Sequence, residues 1–314
     1  MNLGIAIVSF NTRDLLRECL ASLRDVTLPL RVVVVDHASR DGSAAMVRSE
    51  FPHVELLARS DNPGFAGGTN SALRRLGFCA EAVDGPACDL ALLLNPDTVV
   101  YPGAIETLNE FLCKHPRVGM VGPRLLNPDG TIQPAAFRFP TLSMTALDLF
   151  PPGEALPGRL YNSWWHGRYP QEHGDQPFPI DHPLGACILV RRAVIEQIGL
   201  LDEGYFMYAE EVDWCLRAQR AGWAIWQIPQ AHVTHVGGAA TSQFRARMQV
   251  ALYASRLRFF ERHYGRSRTM AHRLIIRAGM LRSAFLALYD YIGKRIGRDE
   301  LRDRWLASTL IMKL

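Results

Sequence analysis

Ala91-Leu92-Leu93-Leu94-Asn95-Pro96-Asp97-Thr98-Val99-Val100 is the stretch that decides the fold. Its continuous apolar run reads as a buried strand, and Asn95-Pro96-Asp97 stops that strand abruptly. In a parallel α/β sheet, ligands sit in the crevice beyond the carboxyl ends of the strands. A carboxylate placed there and stiffened by Pro96 can hold a metal-bound phosphate. Asn-Pro-Asp is also good turn chemistry, and taken alone the stretch reads as a turn. The rest of the chain tips the balance toward a ligand.

Upstream, strand and helix patterns alternate. Leu3 to Phe10 is an apolar strand, and Thr12 to Leu23 has helical spacing with Asn11 or Thr12 as its cap. Leu30 to Val35 is a second strand, ending at Asp36, and Asp41-Gly42-Ser43 opens a helix to about Phe51. Val54 to Ala58, a helix over Gly67 to Leu76, and Leu90 to Leu94 complete the series. Repeated βα units with apolar strands call for a mostly parallel central sheet flanked by helices.

Downstream, a helix over Ala104 to Lys114 leads to a short strand at Gly119 to Gly122. Residues 123–183 are weakly periodic, and Pro151 to Gln176 reads as a long irregular loop of the kind that forms lids or binding loops. Regular structure returns with a strand at Gly185 to Val190, helices at Arg192 to Ile198 and Ala209 to Ala221, and a strand at Ala224 to Ile228. The expected division is one α/β domain over residues 1–242 and a basic amphipathic helical extension over 243–314.

Composition sets outer bounds. With 314 residues, 48% of them hydrophobic and 21% charged, the chain is of ordinary globular type, neither disordered nor fibrous. No run approaches the ~20 apolar residues of a membrane span. The chain opens straight into a strand, so no signal peptide is expected and the reading is cytoplasmic. Cys19, Cys79, Cys88, Cys113, Cys187 and Cys215 lack CxxC or zinc spacing and read as reduced thiols. The formal charge is +4, with arginines concentrated after Arg245. Such a tail suits a phospholipid surface or nucleic acid, or is simply a solvated helix face. The absence of any recognition module speaks against nucleic acid.

Four further segments carry chemistry. Ser9 and Asn11 follow the first strand, and Asp36 ends the second, where it can accept hydrogen bonds from a base or ribose or merely cap a turn. Asn62-Pro63-Gly64-Phe65-Ala66-Gly67-Gly68-Thr69-Asn70 precedes a helix and can bring backbone N–H groups to a phosphate, with a plain tight turn as the competing reading. Glu210, Glu211 and Asp213 crowd the first turn of a helix, where the macrodipole favours anions and a general base can be housed. Arg217, four residues after Asp213, reads as its ion-pair partner. His235 is expected in a polar turn before Gly237 and Gly238; with a carboxylate and phosphate oxygens it would suit Mn²⁺ or Mg²⁺.

These segments, in this order over residues 3 to 240, resemble the family 2 inverting glycosyltransferases of the bacterial rhamnosyltransferase-like branch. The resemblance rests on Val8 to Asn11, Val35 to Ser43, Asn62 to Asn70, Leu94 to Asp97, Gly185-Ala186, Phe206 to Arg217 and His235 to Gly238. It implies a GT-A fold, with residues 1–100 mainly nucleotide-binding and 101–242 mainly acceptor-binding and catalytic. Asp97 matches the acid that ligates the divalent cation, and His235 the histidine that completes coordination. Asn95 stands where many members have Asp, which implies contact with donor ribose or sugar. Asp36 matches the base-contacting acid, while Ser9, Asn11, Asn62, Gly67, Gly68 and Asn70 fall in the donor pocket. Glu211 matches the catalytic base, with Glu210 and Asp213 as alternatives; Gly185, Ala186 and Tyr208 fall on the acceptor side. The donor most suggested is dTDP-rhamnose, with a UDP-sugar as the alternative, and the acceptor a glycan or lipid-linked oligosaccharide. Non-catalytic nucleotide-sugar binding is the competing class. The C-terminal segment would lie on the inner face of the cytoplasmic membrane or pack in a homo-oligomer.

Overall fold

The structure is a computed structural model that describes residues 2–79, 87–151, 163–238 and 245–314. The N-terminal elements are β1 (Leu3–Ser9), α1 (Arg13–Ser22), β2 (Leu30–His37), α2 (Ser43–Glu50), β3 (Glu55–Arg59), α3 (Gly64–Arg75) and β4 (Leu90–Leu94). There follow β5 (Thr98–Val100), α4 (Ala104–Lys114), β6 (Val118–Leu126), β7 (Ile132–Gln133), β8 (Ala136–Phe137) and α5 (Leu142–Leu149). Next come β9 (Phe178–Pro179), β10 (His182–Pro183), β11 (Cys187–Arg191), α6 (Arg192–Ile198), α7 (Glu210–Arg220) and β12 (Ala224–His235). Three helices end the chain: α8 (Arg245–His263), α9 (Gly265–Ile292) and α10 (Arg298–Met312).

The main sheet runs β3-β2-β1-β4-β11-β6-β12-β5. Strands β3, β2, β1 and β4 are parallel, as are β6 and β12. β11 enters antiparallel between β4 and β6, and β5 closes the far edge antiparallel to β12. β4 therefore has a strand on each side and helices on each face, which is why all five of its residues are apolar and buried. Its side chains alternate between two cores. Leu92 and Leu94 join Ile5, Ile7 and Val34 beneath α1, α2 and α4; Ala91 and Leu93 join Ala6 and Val35 with Leu73 of α3 and Trp214 of α7.

The chain divides into two compact units. The first comprises Met1–Phe139, Tyr169–Gly204 and Glu210–Ala240, and carries the sheet. The second comprises Pro140–Arg168, Tyr205–Ala209 and Thr241–Leu314. Its core is Leu149 of α5, Tyr253 of α8, Ile276 and Met280 of α9, and Ile311 of α10. The C-terminal helices thus share their unit with residues 140–168 and 205–209, segments the linear division at 242 assigns to the first domain. Of the long loop expected over Pro151 to Gln176, residues 152–162 lie outside the described residues; the remainder holds two short 3-10 turns, Trp164–His166 and Pro170–His173.

Two boundaries differ from expectation in ways that matter for the site. β12 continues to His235 instead of ending at Ile228, because its partner β6 runs on to Leu126 and a register shift between Ile228 and His232 absorbs the irregularity. α3 starts at Gly64, where the amide donates to the Asn62 side chain at 3.0 Å. Gly67 and Gly68 are thereby enclosed in the helix and do not form a phosphate loop ahead of it. A Cβ on Gly68 would stand 2.5 Å from His37 Nε2 and 3.0 Å from Val8 Cγ1, and one on Gly67 would stand 2.9 Å from Pro63 Cβ. Gly68 serves close packing of helix on sheet, and Gly67 makes room for Pro63 at the helix start. Gly68→Ala is therefore expected to lower unfolding free energy by about 1–3 kcal/mol, an overpacking cost measurable by denaturant titration.

Candidate active site

The parallel register sets Ser9 opposite Asp36 across β1 and β2, and Ile7 opposite Leu94 across β1 and β4. The residues that end these three strands consequently share one edge of the sheet. The backbone is bent hard there: Asn11 has φ +50° and Ala38 φ +56°, conformations that cost about 1–3 kcal/mol each in a non-glycine residue. Hydrogen bonds between the two strand ends hold them. The Asn11 amide donates to Ser39 Oγ at 2.9 Å, and Asn11 Oδ1 accepts from the Arg40 amide at 2.8 Å. Ser9 Oγ is engaged with Thr12 Oγ1 at 3.0 Å. Asp36 is buried; its Oδ2 accepts from the Ser39 amide at 3.0 Å, while Oδ1 is shielded and has no partner. A shielded acceptor without a donor costs about 1–3 kcal/mol, which a ligand N–H would recover.

The Asn95-Pro96-Asp97 turn is fastened from two sides. The Asn95 amide donates to the Ala186 carbonyl at 2.9 Å, and Thr98 Oγ1 donates to the Asn95 carbonyl at 2.7 Å. Asp97 is 7% exposed; its Oδ2 accepts from the Gly237 amide at 3.1 Å, and its Oδ1 lies 3.4 Å from His235 Nε2. The other imidazole nitrogen, Nδ1, donates to Gln133 Oε1 at 2.7 Å. Gln133 is itself oriented, since its amide nitrogen donates to the His235 carbonyl at 3.1 Å and to Asn127 Oδ1 at 3.0 Å. With the proton on Nδ1, the Nε2 lone pair is left toward Asp97. Two acceptors facing at this distance want a cation or a proton between them. The Asn95 amide nitrogen is also 3.4 Å from Nε2, so this side chain belongs with the imidazole. Among the described residues no group of three or more His, Cys, Asp or Glu could hold a metal ion. Were a cation held here, Asp97 and His235 would be its protein donors, with oxygens from outside the chain needed to complete its coordination.

Glu210 and Glu211 open α7. The two residues before them in the chain, Tyr208 and Ala209, both have left-handed backbone, φ +70° and +65°. Glu210 is buried, and burial together with the neighbouring Glu211 charge pushes its carboxyl well above the usual range. Burial raises Glu211 as well, against the pull of the Glu211 and Val212 amides at the helix N-terminus. Oε2 of each is shielded without a partner. Two adjacent carboxylates in such a place oppose each other's ionisation. Glu211 packs on Gly185, whose Cβ would stand 3.4 Å from Glu211 Cδ. Gly185-Ala186 is thus flanked by Glu211 on one side and by the Asn95 turn on the other.

A family model described as "Glycosyltransferase like family 2" matches residues 2–255. The chain belongs to this family. It is 32% identical over 271 residues to the N-acetylglucosaminyl-diphospho-decaprenol L-rhamnosyltransferase of Mycobacterium tuberculosis, covering 84% of this chain and 85% of the relative. To the low-salt glycan biosynthesis hexosyltransferase Agl10 of Haloferax volcanii it is 27% identical over 262 residues, covering 80% of this chain and 72% of the relative. Among solved structures it is similar to mannosyltransferase PcManGT of Pyrobaculum calidifontis in complex with GDP-Man and Mn²⁺, with TM-score 0.56 and 14% identity. That likeness covers 99% of this chain and 86% of the other. The fold is GT-A, and the protein is a glycosyltransferase.

Within the glycosyltransferase, several residues singled out in the sequence are tied into the frame. Asn70 is engaged throughout: its Nδ2 donates to the Leu201 carbonyl and Glu203 Oε1, both at 2.9 Å, and its Oδ1 accepts from the Leu201 amide at 3.0 Å. It ties α3 to the segment before α7. Asn62 starts α3, and Tyr208 stands half-exposed. Gln133 and Asn127 are absent from the sequence reading, although Asn127-Pro128-Asp129-Gly130 is a turn signal that returns the chain along β6 and sets Gln133 opposite Leu125. Asp213 is fully buried and takes Arg217 Nε on Oδ2 at 2.7 Å, as the spacing predicts; the same guanidinium donates to the Ile198 and Leu200 carbonyls. Arg217→Met should therefore cost about 3–5 kcal/mol by stranding a buried carboxylate, read as a lowered midpoint in chemical denaturation.

Proposed function

We propose that this enzyme transfers a sugar, rhamnose from dTDP-rhamnose before others, with inversion onto a hydroxyl of a lipid-linked or growing glycan. A divalent cation, Mn²⁺ or Mg²⁺, would be held by Asp97 and His235. The observation that carries the reading is the placement of the Asp97–His235 pair and of Glu211 about the same two residues, Gly185 and Ala186. The relative's name supports rhamnose as donor sugar and a diphospho-polyprenol acceptor. An acceptor of that kind would set the reaction at the face of a membrane. A UDP-sugar donor is the alternative within the same site.

When bound, the cation neutralises charge on the departing nucleoside diphosphate. The remaining work falls to side chains. Asp36 Oδ1 accepts an N–H of the base. Gln133 keeps the His235 proton on Nδ1, so that Nε2 stays a ligand. Glu211 takes the proton of the acceptor hydroxyl as its oxygen attacks the anomeric carbon, and one displacement inverts that centre. A retaining route needs a carboxylate nucleophile, and Asp213 is committed to Arg217.

The test is a thermal-shift screen of nucleotide sugars with and without Mn²⁺, followed by transfer assays. dTDP-rhamnose with Mn²⁺ should raise the melting temperature, since selective ligand binding stabilises the native state. Asp97→Asn should abolish the Mn²⁺-dependent part of the shift. Glu211→Gln should keep the shift and lose about 100-fold or more in turnover. Because burial raises the Glu211 carboxyl, log kcat/KM should climb with slope one as pH rises through that elevated value, flatten above it, and lose the step in Glu211→Gln. Normal transfer by Glu211→Gln, or no Mn²⁺-dependent response to any donor, would defeat the reading. Separately, Gln133→Leu should weaken Mn²⁺ affinity by about 10–100-fold in calorimetry with nucleoside diphosphate present, with Gln133→Glu restoring most of it.

A further inference from the structure

The second unit leaves one face of α9 uncovered in a regular way. Leu274, Ala278, Leu281, Phe285, Leu288 and Ile292 are spaced four, three, four, three and four residues apart, and all six are exposed. Phe285 and Ile292 are each 71% exposed, Leu274 58% and Leu281 50%. The spacing keeps them in a narrow stripe about 27 Å long, given a rise of about 1.5 Å per residue. The opposite side of the helix is already used, since Ile276, Gly279, Met280 and Ala287 are buried. Gly279 meets Leu149 of α5 so closely that a Cβ would stand 2.7 Å from Leu149 Cδ1. The exposed stripe is thus a second apolar face.

Charge decides what fits it. α9 carries five arginines and a single acid, Asp290, which is paired with Arg295 and Arg304 at 3.6 and 3.5 Å. Arg277 flanks the stripe on one side and Arg282 on the other. Arg277 donates to the Met312 carbonyl and Arg282 to the Leu149 carbonyl, so neither is neutralised by a carboxylate among the described residues. In a helix pair built on this four-three spacing, both positions fall where partner side chains meet. A second copy of the helix would bring cation against cation. An anionic lipid surface reverses the sign, takes the apolar stripe among its acyl chains and suits Tyr289, which is 63% exposed. No described helix is long and apolar enough to cross a membrane, so the face would bed on the surface.

We propose that α9 is a lipid-docking helix, with Leu274, Leu281, Phe285, Leu288 and Ile292 entering an anionic bilayer surface and Arg277 and Arg282 contacting its headgroups. The inference rests on this helix face and stands whichever nucleotide sugar the enzyme uses. It is tested on the full chain by flotation with phosphatidylcholine vesicles and with vesicles of equal parts phosphatidylcholine and phosphatidylglycerol. The protein should float with the anionic vesicles, and added salt should weaken that binding. Phe285→Glu and the pair Arg277→Glu, Arg282→Glu should each reduce partitioning by about tenfold or more. Far-ultraviolet circular dichroism and the donor-induced thermal shift should stay unchanged, which separates failure of docking from failure of the active site. Should Phe285→Glu perturb the fold, Phe285→Ala with Ile292→Ala serves the same purpose. Three outcomes would overturn the proposal: no binding to anionic vesicles, binding indifferent to these substitutions, or a stable dimer in light scattering that Phe285→Glu dissociates.

Discussion

The hydrogen bond from the Asn95 amide to the Ala186 carbonyl is the constraint on which the candidate site depends. It lies one step beyond the last antiparallel pair of β4 and β11, Leu94 with Cys187, where the buried strand gives way to a turn. On one side it fixes the turn that carries Asp97. On the other it fixes Gly185-Ala186, against which Glu211 rests. The sheet behind it is rigid because β4 is fully buried between two neighbours and two helical layers. A site built from strand ends inherits that rigidity, and the geometry between the Asp97–His235 pair and Glu211 need not be assembled by a moving loop.

Around this frame the protein keeps several polar atoms unsatisfied where water is excluded. Asp36 Oδ1, Glu210 Oε2 and Glu211 Oε2 are shielded without partners. Left-handed backbone at Asn11, Ala38, Tyr208 and Ala209 adds strain in the chain segments that carry these groups. Such costs are tolerated where the surrounding structure over-determines the conformation, and they accord with a site prepared for charged, hydrogen-bonding ligands. Asp213 shows the contrast. It is a buried carboxylate on the same helix, yet it is paired with Arg217, which fits it for support.

Much of this was legible in the chain. The apolar run before Asn95 announced a strand covered on both faces, and β4 is such a strand, with the expected ends. The four-residue spacing of Asp213 and Arg217 announced their pairing. The glycines of the Asn62–Asn70 segment misled, because Gly68 is needed to admit His37, which lies 31 positions away in the sequence, and spacing within the segment carries no trace of that contact. The end of β12 misled likewise: His232 to His235 have turn-like surroundings in sequence, but pairing with Arg124 to Leu126 keeps them extended. Gln133 escaped notice because its importance lies in a bond to His235, 102 positions away in the sequence.

By itself, then, the sequence determined what depends on near neighbours: strand and helix periods, the turn that ends β4, the ion pair on one helix face, and the motif order that marks the family. Tertiary structure decided which of those residues are chemically poised. Glu210 and Glu211 adjoin in sequence and look alike there. Only burial, with the Glu211 charge beside Glu210, pushes both carboxyls up, Glu210 the further. Asp97 meets His235 only because a strand ending 138 residues later delivers the imidazole to it, with Gln133 accepting from its Nδ1. Protonation state and ligand geometry are set by the field of the whole fold, and no local stretch of sequence contains that field.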